Sequence, residues 1–150
     1  AGGGPGPAKP LPPGHDFYLV AGDMTSLPAI SVNLQALDPA ARGRVWIEIS
    51  SEADKQDLAH PSGVEINWLV NDQPGLNCDM LANGMRSAQW PEGNVYAWSA
   101  CEFSAMKAWR QVLREEHGLG PDQLYISSYW KSGLTEEGHK LIKREDAEAL

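Results

Sequence analysis

The stretch "FYLVAGDMTSLPAI", residues 17–30, decides how the rest of the chain is read. Phe17 to Ala21 is an unbroken apolar run of strand-forming length. Gly22 follows, then a short polar turn, and Thr25, Ser26 and Pro28 stand where a helix would start. A strand that passes through a bare glycine directly into a helix is the opening unit of a parallel α/β sheet. It is also a place where helix amides can hold a phosphate. Gly22 permits close backbone approach, and a positive φ is open to it. Thr25 or Ser26 could bond a phosphate, or either could be an ordinary N-cap. "GDMTS" has neither the G-x-G-x-x-G pattern nor the P-loop pattern, and the charge of Asp23 opposes a bare phosphate there.

Working outward, strand and helix patterns alternate. Leu27, Ile30, Val32, Leu34 and Leu37 give the first helix, stopped by Asp38-Pro39. "RVWIEIS" (44–50) is a second strand, with a short helix expected over 53–59. "VEINWLV" (64–70) is a third strand, followed by a turn and a weak helix over 76–85. "NVYAWSA" (94–100) is a fourth strand, and the strongest helical pattern runs from Glu102 to His117. Phe103, Met106, Trp109 and Val112/Leu113 form its apolar face, with Gly118 as the left-handed stop. "QLYISSYW" (123–130) is a fifth strand, and Thr135 caps a last helix through Ala149. The expected fold is therefore α/β: a parallel five-stranded sheet with helices on both faces.

Residues 1–14, "AGGGPGPAKPLPPG", are almost all Gly, Pro and Ala and read as a leader or a connector. Residues 15–150 form the expected domain. The chain carries 12 basic and 20 acidic side chains, a formal net charge of -8. That balance speaks against nucleic acid as a partner. No apolar run approaches a membrane span. Cys78 and Cys101 lack Cys or His neighbours at zinc spacing, which fits a reducing compartment. His15, His60, His117 and His139 are scattered and suggest neither a metal site nor a triad.

In a parallel sheet of this kind, ligands gather outside the carboxyl ends of the strands, near the point where strand order reverses. Attention falls on the residues just past each strand, Gly22–Thr25, Ser50–Asp54, Asn71–Gly75, Ser99–Glu102 and Tyr129–Gly133, and the site candidates among them are Gly22, Asp23, Met24 and Thr25; Ser50; Ser99, Ala100, Cys101 and Glu102; Tyr129, Trp130 and Lys131. Cys101, read at a helix start, has two interpretations: a thiol of lowered pKa, or a small packing residue beneath the helix, which is preferred. Glu102 suits the helix dipole, with a nicotinamide contact as the sharper reading. Lys131 is the one base among these turns and suits a phosphate or an anionic substrate.

Three blocks, "YLVAGDMTSLPAIS", "VYAWSACEFSAMKAWRQVLREEHGL" and "LYISSYWKSGLTEEGHKLIKREDAEA", closely resemble the siderophore-interacting protein family, in the family's order. The resemblance covers almost the whole chain. It implies a ferredoxin-reductase-like NAD(P)H-binding domain that follows an FAD-binding β-barrel, with "GPGPAK" as the connector from that barrel. Together such domains pass electrons from NAD(P)H, or in some members a ferredoxin, through FAD to ferric iron in a siderophore in the cytoplasm. On this resemblance Gly22 to Thr25 neighbour the dinucleotide, Cys101 and Glu102 line the hydride-transfer region, and Tyr129, Trp130 and Lys131 lie toward flavin and substrate. The second-strand exit, Ser50-Ser51-Glu52, has no arginine for a 2′-phosphate. A stand-alone binding module that kept the fold without catalysis is the alternative.

Overall fold

The computed structural model describes residues 9–149. Five strands, β1 (Phe17–Gly22), β2 (Arg42–Ile49), β3 (Gly63–Val70), β4 (Val95–Glu102) and β5 (Leu124–Trp130), form one sheet in the order β3-β2-β1-β4-β5. Every pairing is parallel. The order reverses between β1 and β4, where Gly22 lies opposite Ala100. Four helices accompany the strands: α1 (Leu27–Ala36), α2 (Met80–Ser87), α3 (Phe103–Gln111) and α4 (Glu136–Ala149). None among the described residues is long and apolar enough to cross a membrane.

The inner strands are apolar on both faces because helices cover both. Phe17, Leu19 and Ala21 point toward α2 and α3, joining Leu81, Met85, Met106, Trp109 and Leu113. Tyr18 and Val20 point the other way and meet Leu27, Ile30 and Leu34 of α1. On that second face the end of the leader also docks. Trp98 Nε1 donates to the Lys9 carbonyl (3.0 Å), and the Tyr18 hydroxyl donates to the Pro12 carbonyl (2.6 Å). The rest of the expected connector, residues 1–8, lies outside the described residues.

In four places the structure departs from the pattern expected of the sequence. Val32, expected on the apolar stripe of α1, is 66% exposed. At 3.6 residues per turn it lies about 140° round the helix from Leu27, on the opposite side. The helix expected over 53–59 is a single 3-10 turn, Glu52–Asp54, followed by irregular chain. "SEADKQDLAHP" offers only Leu58 as a sizeable apolar group, so there is no stripe to bury. The helix expected from Leu76 starts at Met80, because Asn77 adopts a left-handed conformation (φ 54°). Finally, Cys101 and Glu102 belong to β4 rather than to the helix. α3 begins at Phe103 and passes into a π-helical turn, Val112–Glu116, before Gly118 (φ 66°) ends it.

Candidate functional site

Gly22 ends β1 at the switch point, and its backbone has an ordinary negative φ. Its bareness has a different cause. A Cβ built there would sit 2.2 Å from Ser26 Oγ and 2.6 Å from Ile30 Cδ1. The space in front of Gly22 is taken by the first turn of α1, which packs directly onto the strand end.

Beyond Gly22 the chain turns Asp23 inward, where it is only 6% exposed. Its carboxylate accepts four hydrogen bonds from three segments. Oδ1 takes the Thr25 amide (3.0 Å) and the Thr25 hydroxyl. Oδ2 takes the Glu102 amide (3.0 Å) at the end of β4 and the Trp130 indole N–H (2.9 Å) at the end of β5. A shift in register between β4 and β5 places Trp130 opposite Glu102 and aims the indole at Asp23. The charge that counted against a phosphate in the sequence is spent on protein donors. Ser26 makes no side-chain cap, so the amides of Leu27 and Ala29 in the first turn of α1 have no side-chain acceptor. Thr25 and Met24 are exposed beside them, and the Ser50 hydroxyl lies 3.6 Å from Met24 Sδ.

Glu102, 3% exposed, performs the matching task from β4. Oε1 accepts from the amides of Ser104 (2.8 Å) and Ala105 (3.1 Å), capping α3. Oε2 accepts from the Ser132 amide (3.2 Å) and stands 3.4 Å from Lys131 Nζ. The N-terminus of α3 is thus closed by the protein's own carboxylate and the Lys131 ammonium is tethered. Trp130, Lys131 and Ser132 are held between Asp23 and Glu102, with Tyr129 half-buried against the α1 face.

Glu48 is not among the residues expected at the site, whereas Asn71 opens the strand-end turn 71–75 that is. Asn71 Nδ2 donates to Glu48 Oε1 (3.2 Å) and to the Leu76 carbonyl (2.7 Å), shaping the turn after β3. Burial pushes the Glu48 carboxyl up to about 7, and the Asp23 and Glu102 charges add to this against the Asn71 hydrogen bond. The signal was present: Glu48 interrupts the apolar run Val45–Ile49 at the carboxyl end of β2. At the exit of β2 the structure supplies a base that the sequence reading passed over, Lys55, paired with Glu52 at 2.6 Å.

The model of the siderophore-interacting protein family matches residues 15–133. The chain belongs to that family. It is 36% identical over 138 residues to ferric vibriobactin reductase of Vibrio cholerae, across 91% of this chain and 51% of that protein. Its fold superposes on the siderophore-interacting protein SipS of Aeromonas hydrophila with a TM-score of 0.81, at 27% identity, covering 89% of this chain and 53% of that one. A siderophore utilization protein from T. fusca gives 0.78 at 29% identity, over 87% and 50%. This siderophore-interacting chain therefore spans about half the length of the relatives it matches, and the five-stranded parallel sheet is the family's ferredoxin-reductase-like fold.

Within this family member, Ser99, Ala100 and Cys101 are fully buried in β4. Burial first, then the Asp23 charge, pushes the Cys101 thiol well above its ordinary value, with Ser99 Oγ 3.6 Å away opposing the shift. Cys101 is thus enclosed within the sheet rather than standing beneath the start of α3. Cys78 is half-buried, and burial and Glu102 raise its thiol too. A thiol reagent on the folded chain is expected to modify Cys78 slowly and Cys101 only after unfolding. Mass mapping of the labelled peptides checks this, and prompt labelling of Cys101 would show that β4 opens.

Proposed function

We propose that the chain is the NAD(P)H-binding domain of a flavin-dependent ferric-siderophore reductase, which frees iron by reducing Fe(III) to Fe(II) in the cytoplasm. The single observation that carries the reading is the strand-end arrangement at the β1/β4 switch. Uncapped helix amides on α1 stand beside an Asp23–Trp130 and Glu102–Lys131 framework, in a chain similar to a protein named a ferric vibriobactin reductase. The residues fit a dinucleotide there: the Leu27 and Ala29 amides suit its phosphates, and the exposed Met24, Thr25 and Ser50 border them. Gly22, Asp23 and Glu102 support this surface from within. Ser99, Ala100 and Cys101 form its floor. Tyr129, Trp130 and Lys131 form the edge toward flavin and ferric siderophore.

A flavin, when bound, supplies the electron relay between nicotinamide and iron, so the protein's part is to place the two and exclude water. On this reading an FAD-binding barrel precedes the domain and is joined to it through residues 1–14. The two free thiols suit a reducing compartment.

The test compares the 150-residue chain with the longer protein that includes the barrel. The short chain is expected to purify without flavin colour and to leave NAD(P)H unoxidised in the presence of ferric siderophore. The longer protein should reduce the iron. Lys131→Ala in the longer protein should raise KM for ferric siderophore or dinucleotide a few-fold, with a smaller change in kcat, since a partly exposed charge contact contributes about 0.2–1 kcal/mol. Stoichiometric flavin on the short chain, or a longer protein without iron reduction, overturns the proposal. KM values that stay flat at low ionic strength remove Lys131 from the site.

A further inference from the structure

The outer face of α3 carries a groove of about 500 Å³, lined by Ser104, Lys107, Arg110, Gln111, Arg114 and, at its upper end, Lys131. Four of the chain's 12 basic side chains meet in this one cavity, although the chain as a whole has a formal net charge of -8. Their spacing is unfavourable for the helix. Lys107 and Arg110 are three apart, and Arg110 and Arg114 are four apart, so like charges stack on one face. Counter-charge comes mainly from Asp146 of α4, whose carboxyl is held below its ordinary value by its hydrogen bonds to Arg110 and by the nearby charges of Arg110, Lys107 and Arg114. Arg110 is fixed by a bidentate pair with Asp146 of α4 (2.8 and 2.7 Å). Lys131 is tethered to Glu102. Glu115, the one acid lining the groove, accepts from Gln111 Nε2 (3.0 Å). Lys107 and Arg114 form no ion pair among the described residues, and the Lys107 ammonium rests 5.5 Å from the centre of the Phe103 ring.

We infer that this groove is a binding site for a small, multiply charged anion. Such a ligand would relieve the repulsion along α3 and find Arg110 already oriented. The volume lies within the range of small-molecule pockets, about 300–1,000 Å³. From Ser104 to Arg114 the groove runs about 15 Å along the helix, enough for two or more anionic groups in a row. Phosphate and carboxylate groups share the chemistry that Lys107, Arg110 and Arg114 recognise. The site lies along α3, away from the α1 amides; it shares only Lys131 with the proposed substrate edge, and Lys107, Arg110 and Arg114 do not rest on the reductase reading.

The test uses the 150-residue chain labelled with nitrogen-15 and titrated at low salt with inorganic pyrophosphate in one arm and citrate in the other. Saturable shifts are expected for the amides of residues 103–115 and of Lys131, with the tighter arm identifying the ligand as phosphate-bearing or polycarboxylate. Lys107→Ala with Arg114→Ala should weaken binding about tenfold, the loss of two charge contacts. Their melting temperature should hold or rise, because like-charge contacts are removed and alanine favours helix. Lys9→Ala with Arg42→Ala removes as much charge from exposed positions elsewhere and should leave binding nearly unchanged. No saturable shift up to about 10 mM, where even a millimolar site would fill, overturns the inference. So does an equal loss in both double variants, which would reduce the effect to overall charge.

Discussion

Gly22→Val is expected to cost the domain its stability before any effect on ligand can be measured. A Cβ there would meet Ser26 Oγ, Ile30 Cδ1 and, at 3.2 Å, the Ala100 carbonyl. Ser26 and Ile30 are both fully buried, so neither can swing aside into solvent. Overpacking of a tight core typically costs about 1–3 kcal/mol, which suits Gly22→Ala, and valine adds two further methyl carbons. For Gly22→Val we expect about 3 kcal/mol or more. In a domain of this size each kcal/mol moves the melting temperature about 2–4 °C. Chemical denaturation of the 150-residue chain measures it directly. Ser26→Ala removes the nearest obstructing atom, so Gly22→Ala should cost less in that background than alone. Equal costs in both backgrounds would show that the strand end yields more easily than its packing implies.

This outcome separates two explanations that look identical in the sequence. A glycine after the first strand suits a ligand that needs bare backbone, and it suits a helix that presses on the strand. The spacing of Gly22, Ser26 and Pro28 shows where α1 begins but not what fills the gap. The fold was legible for a related reason: β1 and β4 are buried on both faces, so their sequences run largely apolar without strict alternation, and that is the mark of a covered parallel sheet. The segment after β2 was not legible. Its residues favour helix individually, yet they have no apolar face to hold one against the sheet, and Ile66 and Trp68 of β3 remain only half-buried beneath it. The candidate site was legible as a set of strand ends but not as a network. Asp23 and Trp130 are 107 residues apart, and only a shift in register between β4 and β5 lets them meet. Neither a motif nor a period encodes such a contact.

That contact carries the other large expected effect. Asp23→Ala leaves the buried Glu102 amide and the part-buried Trp130 indole N–H without their acceptor. Thr25 is exposed and can turn to solvent, so its donors add little. A buried donor left unpaired costs about 1–3 kcal/mol, which places Asp23→Ala at about 2–5 kcal/mol. Asp23→Asn keeps the volume, but its amide nitrogen must face two of the four donors that a carboxylate accepts, so it should recover only part of the loss. The decisive comparison is with Trp130→Phe, which removes the indole N–H and keeps an aromatic ring. If the link joins β1 to β5 as the structure shows, Trp130→Phe should cost clearly less in the Asp23→Ala background than in the unmodified chain. The coupling should fall in the range of about 0.5–3 kcal/mol found for residues in contact. Additive costs would mean that Trp130 is held by packing alone, and that Asp23 serves only Thr25 and Glu102. Because Lys131 follows Trp130 directly, loss of the link should also free the Lys131 ammonium from Glu102. In the longer protein, KM for the anionic substrate should then shift in Asp23→Asn and Trp130→Phe alike, even where both variants remain fully folded.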